Sequence, residues 1–253
     1  MARHYVGTSG WSYAHWRGLV YPRGVGQGDW LAHYATLLSS VELNASFYRL
    51  PTPSMLEGWC DKTPPGFVFA LKGSRLISHL RRLADCAEGL ERFLQATALL
   101  GNKRGPILFQ LPPKFPADRM RLAAFLKLLP KSLRFAFEFR DPSWHSEEIY
   151  ALLGAHNAAF VPFELGKLKG PRVATADFVY VRLHGRKGRY RGNYTPEALN
   201  DWAHWLKAEM AQGRDAYVYF DNTDDADHAV RNAQTLDGLL ARGATRKTRH
   251  PRR

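Results

Sequence analysis

Short apolar and β-branched segments alternate with longer amphipathic segments along almost the whole chain. This alternation predicts strands separated by helices, an order that favours parallel strand pairing. Strands are predicted at His4–Ser9, Val41–Phe47, Phe67–Lys72, Ile107–Leu111, Phe135–Arg140, Ala159–Glu164, Phe178–His184 and Ala216–Asp221. Helices are predicted at Trp30–Ser39, Ser54–Lys62, Asp85–Leu100, Ala117–Leu129, Ser146–His156, Pro196–Gln212 and His228–Ala241.

Eight strands that alternate with helices in a chain of 253 residues predict an α/β fold, a single (β/α)8 TIM barrel. One helix is expected to be short or missing, because only the segment Gly166–Asp177 separates strands six and seven and it contains Gly170-Pro171. An open doubly wound sheet is the alternative. It is less favoured because no glycine-rich fingerprint follows an early strand.

The segment RFAFEFRDPSW, residues 134–144, predicts how one strand is oriented in the barrel. Side chains of a strand point alternately to its two faces. The three phenylalanines Phe135, Phe137 and Phe139 are therefore expected under the outer helices. The intervening residues are expected to line the interior as far as the C-terminal rim, in the order Ala136, Glu138 and Arg140.

The same alternation turns polar or charged side chains inward on other strands, namely Glu42, Asn44, Lys72, Gln110, Arg182, His184 and Asp221. A TIM-barrel interior is normally packed with branched aliphatic residues, and buried charges are costly unless they are paired. A mixed-charge interior therefore predicts a functional site, which in this fold lies at the C-terminal rim. For the deeper residues Glu42 and Arg182, purely structural ion pairs are the favoured interpretation.

Positive charge is concentrated at the C-terminus. The chain has a net charge of +13, and its last segment, ARGATRKTRHPRR, contains six arginine or lysine residues and no acid. The sequence thus predicts one domain, residues 1–241, and a disordered basic tail, residues 242–253, that either binds nucleic acid electrostatically or only aids solubility.

Several function classes are disfavoured by composition. No apolar run reaches the length of about 18 residues that a membrane span needs, so no membrane partner is expected. The N-terminal residues lack the apolar core of a signal peptide. The two cysteines, Cys60 and Cys86, have no metal-binding spacing, which predicts reduced thiols in a cytoplasmic protein. No motif for an organic cofactor is present.

A family resemblance rests on dispersed motifs, in order GTSGWSYAHWRGLVYP, VELNASFYRLP, FVFALKGSRLISHLRRL, ILFQLPPKF, FAFEFRDPSW, YVRLHGRKGRY and YVYFDN. Together they resemble the YecE-like family, a TIM-barrel group of unknown function. The resemblance covers about Tyr5 to Leu240. It implies a barrel, and it implies no particular reaction.

The predicted function is an enzyme, with hydrolysis as the reaction class considered, that acts on an anionic ligand at the rim. Proton transfer is assigned to Glu138 and His184, and Asp221 is the third catalytic candidate. Substrate binding is assigned to Asn44, Lys72, His79, Gln110, Arg140, Trp144, Arg182, Tyr194 and Asn222. Lysine and arginine together with histidine at one rim favour a phosphate-bearing small molecule or a nucleic acid as partner.

Four alternatives remain open at this stage. The chain could be a non-catalytic nucleic-acid-binding protein, or a carbohydrate-active enzyme that uses paired carboxylates. A divalent metal ion is a less favoured option, because ligand types are present at Glu42, His79, Glu138, His184 and Asp221 but no metal-binding spacing is. A Schiff base at Lys72 is less favoured than an anion-binding lysine.

Overall fold

The computed structural model describes residues 2–188, 190–224 and 226–242. Its strands are β1 (His4–Ser9), β2 (Ser40–Leu43), β3 (Val68–Lys72), β4 (Arg104–Gln110), β5 (Phe135–Glu138), β6 (Ala159–Phe160), β7 (Phe163–Leu165), β8 (Leu168–Lys169), β9 (Phe178–Leu183) and β10 (Asp215–Phe220). The predicted basic tail lies outside the described residues except for Arg242, so its disorder stays a prediction.

The α-helices are α1 (Trp30–Leu37), α2 (Ala45–Tyr48), α3 (Pro53–Asp61), α4 (Ala87–Thr97), α5 (Arg119–Leu126), α6 (Glu147–Ala155), α7 (Pro196–Ala211) and α8 (His228–Ala241). Short 3-10 helices occur at Ala14–Trp16, Gln27–Asp29, Ala98–Lys103 and Pro142–Trp144, and one turn of π-helix at Leu76–Leu80. None of the described helices is long and apolar enough to cross a membrane.

Local sequence signals explain where several helices begin. The hydroxyl of Thr195 accepts a hydrogen bond from the backbone N–H of Ala198, and Pro196 occupies the first position of α7. Thr52 and Pro53 repeat this arrangement at α3. A threonine cap satisfies a backbone donor that has no partner within the helix, and proline fixes a helical φ where no N–H is needed.

The strands form one curled, mostly parallel sheet in the order β6-β5-β4-β3-β2-β1-β10-β9-β7-β8. The fold is thus α/β and resembles a TIM barrel. The prediction of a closed barrel with eight strands was wrong, since the described pairing runs from β6 to β8 without joining its two ends. The prediction that the helix between strands six and seven is short or missing is confirmed for this part of the chain, where β7 and β8 form an antiparallel hairpin.

The predicted strand six is divided at Pro162. Its first part, β6, pairs with β5, and its second part, β7, pairs with β9. Proline has no N–H to donate to a ladder, so it interrupts a strand in the middle of a sheet. The carbonyl oxygen of Pro162 still accepts a hydrogen bond from the N–H of Arg182 at 3.1 Å. The chain itself therefore crosses the gap between the two parts of the sheet.

Two separate apolar clusters confirm the predicted strand orientations. The outer cluster, between strands and helices, contains Phe135, Phe137 and Phe139. The inner cluster contains the inward residues of six strands, including Val68, Ala70, Leu108, Ala136, Phe178, Tyr180, Tyr217 and Tyr219. The inner cluster fills the lower part of the interior. The charged inward residues follow it toward the C-terminal ends of the same strands.

Candidate functional site

Arg182, on β9, lies at the centre of the charged cluster and is 1% exposed. Its Nε donates to Glu42 Oε2 at 2.9 Å and its Nη2 to Glu42 Oε1 at 2.7 Å, which gives a bidentate pair across the interior. Its Nη1 donates to Glu138 Oε2 at 3.0 Å, and its Nη2 also reaches Asp221 Oδ2 at 3.2 Å. One guanidinium group thus contacts three carboxylates that β2, β5 and the end of β10 contribute.

The Glu42 carboxylate has further hydrogen-bond donors. The hydroxyl of Ser9, at the end of β1, donates to Oε1. The hydroxyl of Tyr180 donates to Oε2 at 2.7 Å, and burial raises the pKa of this phenol well above its usual value, so it stays a donor. A buried carboxylate with this many partners is stabilised in its charged form. These contacts support the structural interpretation of the Glu42–Arg182 pair.

Glu138 is buried between two arginines. Its Oε2 pairs with Arg182, and its Oε1 forms an ion pair with Nε of Arg140. Burial alone raises the pKa of this carboxyl, but Arg140 and Arg182 outweigh it and hold the pKa well below its usual range. A carboxylate that binds protons this weakly is a poor general base near neutral pH. Its geometry suits it to hold the two guanidinium groups.

His184, just after β9, connects Asp221 to the two arginines. Its Nδ1 lies 2.9 Å from Asp221 Oδ2, and its Nε2 lies 2.9 Å from Arg140 Nη2 and 3.3 Å from Arg182 Nη1. A carboxylate accepts and a guanidinium donates, so the two 2.9 Å contacts favour hydrogen on Nδ1 and a lone pair on Nε2, and Glu138 Oε2 lies farther from Nε2, at 3.6 Å. Burial raises the pKa of Asp221, but its hydrogen bond to His184, together with the charges of Arg182 and Lys72, leaves the pKa lowered.

Lys72, at the end of β3, differs from the arginines. Its Nζ lies 4.7 Å from the centroid of the Phe47 ring, and the described residues offer it no salt bridge or hydrogen bond. Burial, and then the charge of Arg182, lower the pKa of this amine. The ring of His79, on the π-helical turn, packs against the same phenylalanine at 4.9 Å. Burial, with Lys72 and Arg75, lowers the pKa of His79 to about 4.

Two predicted amides lie at the edge of the charged cluster. Asn44 directly follows β2, and its Nδ2 donates to Ser9 Oγ at 2.8 Å. The predicted strand two was too long, because the chain turns into α2 after Asn44. Gln110 ends β4, and its Nε2 donates to the carbonyl oxygen of Leu111 at 2.9 Å. Both side chains are only partly buried and border the rim.

Three predicted substrate-binding residues lie outside the cluster. Trp144 is fully buried, stacks on Phe139 at 4.6 Å and donates from Nε1 to the carbonyl oxygen of Phe115 at 2.7 Å. Tyr194 is 2% exposed, and its hydroxyl accepts from Gly185 N at 3.2 Å. The buried Asn222 donates to the carbonyl oxygen of Gly192. Their surroundings indicate roles in packing and loop anchoring, because the loops turn these side chains into the protein.

Charges nearly balance in the cluster. The carboxylates of Glu42, Glu138 and Asp221 face the cationic groups of Arg140, Arg182 and Lys72. A glycosidase needs one carboxyl group with a raised pKa to act as acid, whereas the pKa values of Glu138 and Asp221 are lowered. The carbohydrate alternative therefore loses support. Within the described residues, no group of three or more His, Cys, Asp and Glu is arranged to hold a metal ion.

Two members of this network were missed in the sequence. Ser9 and Tyr180 both hydrogen-bond to Glu42. Their inward orientation was available from strand alternation, but serine and tyrosine on a strand give no charge signal that separates a network residue from ordinary packing. A pocket lies beside Asn44, and Trp59 is part of its lining. The sequence pattern placed Trp59 on the predicted helix that corresponds to α3, so it was not considered as a functional residue.

Comparison with known proteins gives a consistent family. The sequence profile described as "Protein of unknown function DUF72" matches residues 5–253. The UPF0759 protein YunF of Bacillus subtilis is 27% identical over 93% of this chain and 94% of the relative. The UPF0759 protein YecE of Escherichia coli K12 is 31% identical over 56% of this chain and 50% of the relative.

Solved structures agree with the sequence comparison. A DUF72 family protein from Thermotoga maritima superimposes with a TM-score of 0.83 at 30% identity, covering 94% of this chain and 99% of the other. One from Enterococcus faecalis has a TM-score of 0.77 at 19% identity, covering 95% and 98%, and supports the fold alone. The resemblance to the YecE-like family is thus confirmed, and the chain belongs to the DUF72 family.

Proposed function

We propose that this protein is an enzyme that acts on an anionic ligand, a phosphate-bearing small molecule or a nucleic acid, at the C-terminal rim of the sheet. One observation carries the proposal. The ammonium group of Lys72 has no salt bridge or hydrogen bond within the described residues, although it lies beside a cluster of carboxylates that are already paired with arginines. A partly buried cation with unused donors is suited to bind an anion.

Arg140 provides a second set of donors. Its Nε contacts Glu138 and its Nη2 contacts His184, while Nη1 makes no hydrogen bond within the described part of the chain. A phosphate or carboxylate bound by Lys72 and Nη1 of Arg140 would receive charge-assisted hydrogen bonds from two strands. Arg182 is assigned a positioning role instead, because its donors are occupied by carboxylates.

Proton transfer is assigned to His184. Asp221 holds Nδ1 and so directs the lone pair of Nε2 toward Arg140. An anion that attracts the Arg140 guanidinium would weaken its hydrogen bond to Nε2 and leave the longer contact with Arg182 Nη1, at 3.3 Å. The imidazole could then accept a proton from the substrate or from water. Glu138 holds both arginines in place, and we assign it no proton transfer because its pKa is lowered.

Calorimetric titration with inorganic phosphate tests the proposal on the whole protein. We expect saturable binding that Lys72→Met weakens by at least about tenfold, since a charge-assisted contact contributes on the order of 1.5 kcal/mol or more. Lys131→Met removes an exposed lysine and serves as the matched control, with unchanged affinity expected. Phosphate binding that is absent, or that is equal in wild type and Lys72→Met, would contradict the proposal.

The two ligand sources can be separated in the same experiment. Displacement of bound phosphate by a short single-stranded oligonucleotide, lost in Lys72→Met, would assign a nucleic acid to the rim. Oligonucleotide binding that persists in Lys72→Met and leaves phosphate bound would place nucleic acid elsewhere on the chain. A small phosphate-bearing substrate would then remain for the rim.

A further inference from the structure

A pocket lies beside the charged cluster, next to the start of α2. It is a pocket of about 520 Å³, formed by the segment after β1, the loop before α1, and helices α2 and α3. Its apolar wall consists of Trp11, Tyr13, Leu31, Leu43, Met55 and Trp59. The size is that of a small-molecule site, and the proposed anion contacts do not use this pocket.

Two aromatic rings shape the wall. The rings of Trp11 and Trp59 meet edge to face, with centroids 5.4 Å apart and planes at 87°. Both side chains, with that of Tyr13, are only partly buried although they pack on the core. Because the two indoles are perpendicular, a flat ring that enters the pocket can lie against the face of one and the edge of the other. Tryptophan and tyrosine in such arrangements bind flat rings by stacking.

The orientation of the Asn44 amide is fixed by the cluster below it. The Ser9 hydroxyl donates its hydrogen to Glu42, so Ser9 Oγ must accept from Asn44. The amide nitrogen of Asn44 is therefore directed at Ser9, and its oxygen is directed away. That oxygen is buried and has no hydrogen-bond partner among the described residues. A buried acceptor without a partner is costly, and a donor on a ligand would satisfy it.

The remaining polar groups limit the chemistry of a ligand. Gln27 Nε2 donates to Ser12 Oγ at 3.2 Å, and Lys62 Nζ donates to the carbonyl oxygen of Gly28 at 2.8 Å, so these side chains already have partners. The described lining contains no aspartate or glutamate. A sugar would bring several hydroxyl groups against a wall that is mostly aromatic and aliphatic, in which Asn44 Oδ1 is a buried acceptor without a partner among the described residues. A planar ring with a single N–H donor matches this wall better.

We infer that this pocket binds a heteroaromatic ring, which lies against the face of one of the two indoles of Trp11 and Trp59 and the edge of the other, with a ring N–H or amino group donating to Oδ1 of Asn44. The ring belongs to a neutral or anionic molecule, because no acid in the described lining would attract a cation. The inference adds a site to the proposed function and does not depend on it.

Two glycines allow a matched experiment. Gly28 lines the pocket, and a side chain added there would meet no atom within 4 Å of its Cβ. Gly24 lies in the same exposed loop, has equally open space around its Cβ, and is not part of the lining. Gly28→Phe therefore adds an aromatic side chain at the pocket lining from a Cβ that meets no neighbour, and Gly24→Phe adds the same bulk outside the lining.

Adenosine is the probe, since it carries a flat ring and an amino donor and no charge. Its binding to the full chain is measured by quenching of tryptophan fluorescence. We expect saturable quenching in wild type and in Gly24→Phe, a loss of at least about tenfold in affinity in Gly28→Phe, and about tenfold weaker binding in Asn44→Ala. Circular dichroism of each variant checks that the fold is retained.

Three outcomes would overturn the inference. These are no saturable quenching by adenosine, equal affinity in wild type and Gly28→Phe, and saturable binding of methyl β-glucoside in place of adenosine. The Lys72→Met variant separates a test of this pocket from a test of the proposed anion site. It should bind adenosine like wild type even though it loses phosphate, so failure of either site leaves the other measurement interpretable.

Discussion

The two sides of the interior rim use charge in different ways. On the side of β2, β5, β9 and β10, every carboxylate of the cluster contacts Arg182, and buried hydroxyls complete the network. On the side of β3 and the π-helical turn, Lys72 has an aromatic ring as its neighbour and His79 has a lowered pKa of about 4. On one side every charged group has a direct partner, and on the other the ammonium group of Lys72 has no salt bridge or hydrogen bond among the described residues.

This difference separates two uses of buried charge. A paired network contributes to one defined arrangement of strands, because removing any member leaves the groups that contacted it with one partner fewer. A cation without a direct partner contributes little to folding, since burial opposes its charged form. Its presence at a strand end is easier to explain by a ligand than by stability. We therefore assign to Arg182 mainly the stabilisation of the strand arrangement, and to Lys72 mainly the binding of a ligand.

The largest expected effect comes from removing the central cation. Arg182→Met leaves three carboxylates without their shared partner, and we expect the free energy of unfolding to fall by roughly 3–5 kcal/mol. Lys72→Met should change it by less than about 1 kcal/mol, since an apolar side chain can replace a charge whose burial is unfavourable. Urea denaturation of both variants measures the contrast, and similar losses in the two would remove the distinction between the two sides.

An intermediate effect is expected in acid. The pKa of Glu138 is lower in the folded than in the unfolded protein, so the unfolded chain binds more protons as the pH falls below about 4.5. The stability contributed by this carboxylate is therefore present above that pH and is lost as the pH falls toward the folded pKa. Denaturation curves between pH 6 and pH 3, about the range where this linkage acts, should show stability declining with acidity.

Glu138→Gln tests the origin of this acid slope. The variant should be less stable at neutral pH, yet its stability should decline less steeply in acid because one titrating group is gone. Glu147→Gln removes an exposed glutamate on α6 and should keep the wild-type slope. An unchanged slope in Glu138→Gln would mean that other carboxylates carry the acid sensitivity.

The smallest effect reports the charge of Lys72 directly. The C–H resonances of His79 should titrate near pH 4, because burial and then Lys72 lower its pKa to about 4. In Lys72→Met this pKa should move upward toward 6.5 without reaching it, since burial remains. NMR titration measures the shift, with Lys131→Met as the control. A His79 pKa that is the same in wild type and Lys72→Met would show that the lysine does not act on this histidine.

Strand alternation was sufficient to predict which residues enter the interior. It has a period of two and depends only on neighbouring residues, so Glu138 and Arg182 could be placed inward without knowing their partners. Their pairing could not be predicted. Arg182 and Glu42 are 140 positions apart, and which carboxylate an arginine meets depends on strand order and stagger.

Other errors have local causes. Pro162 could have predicted that strand six is interrupted, since proline has no N–H to donate to a neighbouring strand. The orientation of Trp144 had no such sign, because a side chain in a loop follows no fixed period. Its ring was predicted to bind substrate, and it instead packs on Phe139. Tyr194 and Asn222 also lie in loops, so the alternation of strand side chains could not predict their orientation.

Because the sheet is open at one place, the ion pairs of Arg182 connect strands across the interior. A closed hoop of strands resists spreading through its own hydrogen bonds, whereas the described ladder has a gap at Pro162 that only the chain crosses. The guanidinium group ties β9 to β2 and to β5, strands on different sides of that interior. It is a cross-link inside an incomplete ring of strands, and it joins strands that are not neighbours in the described sheet.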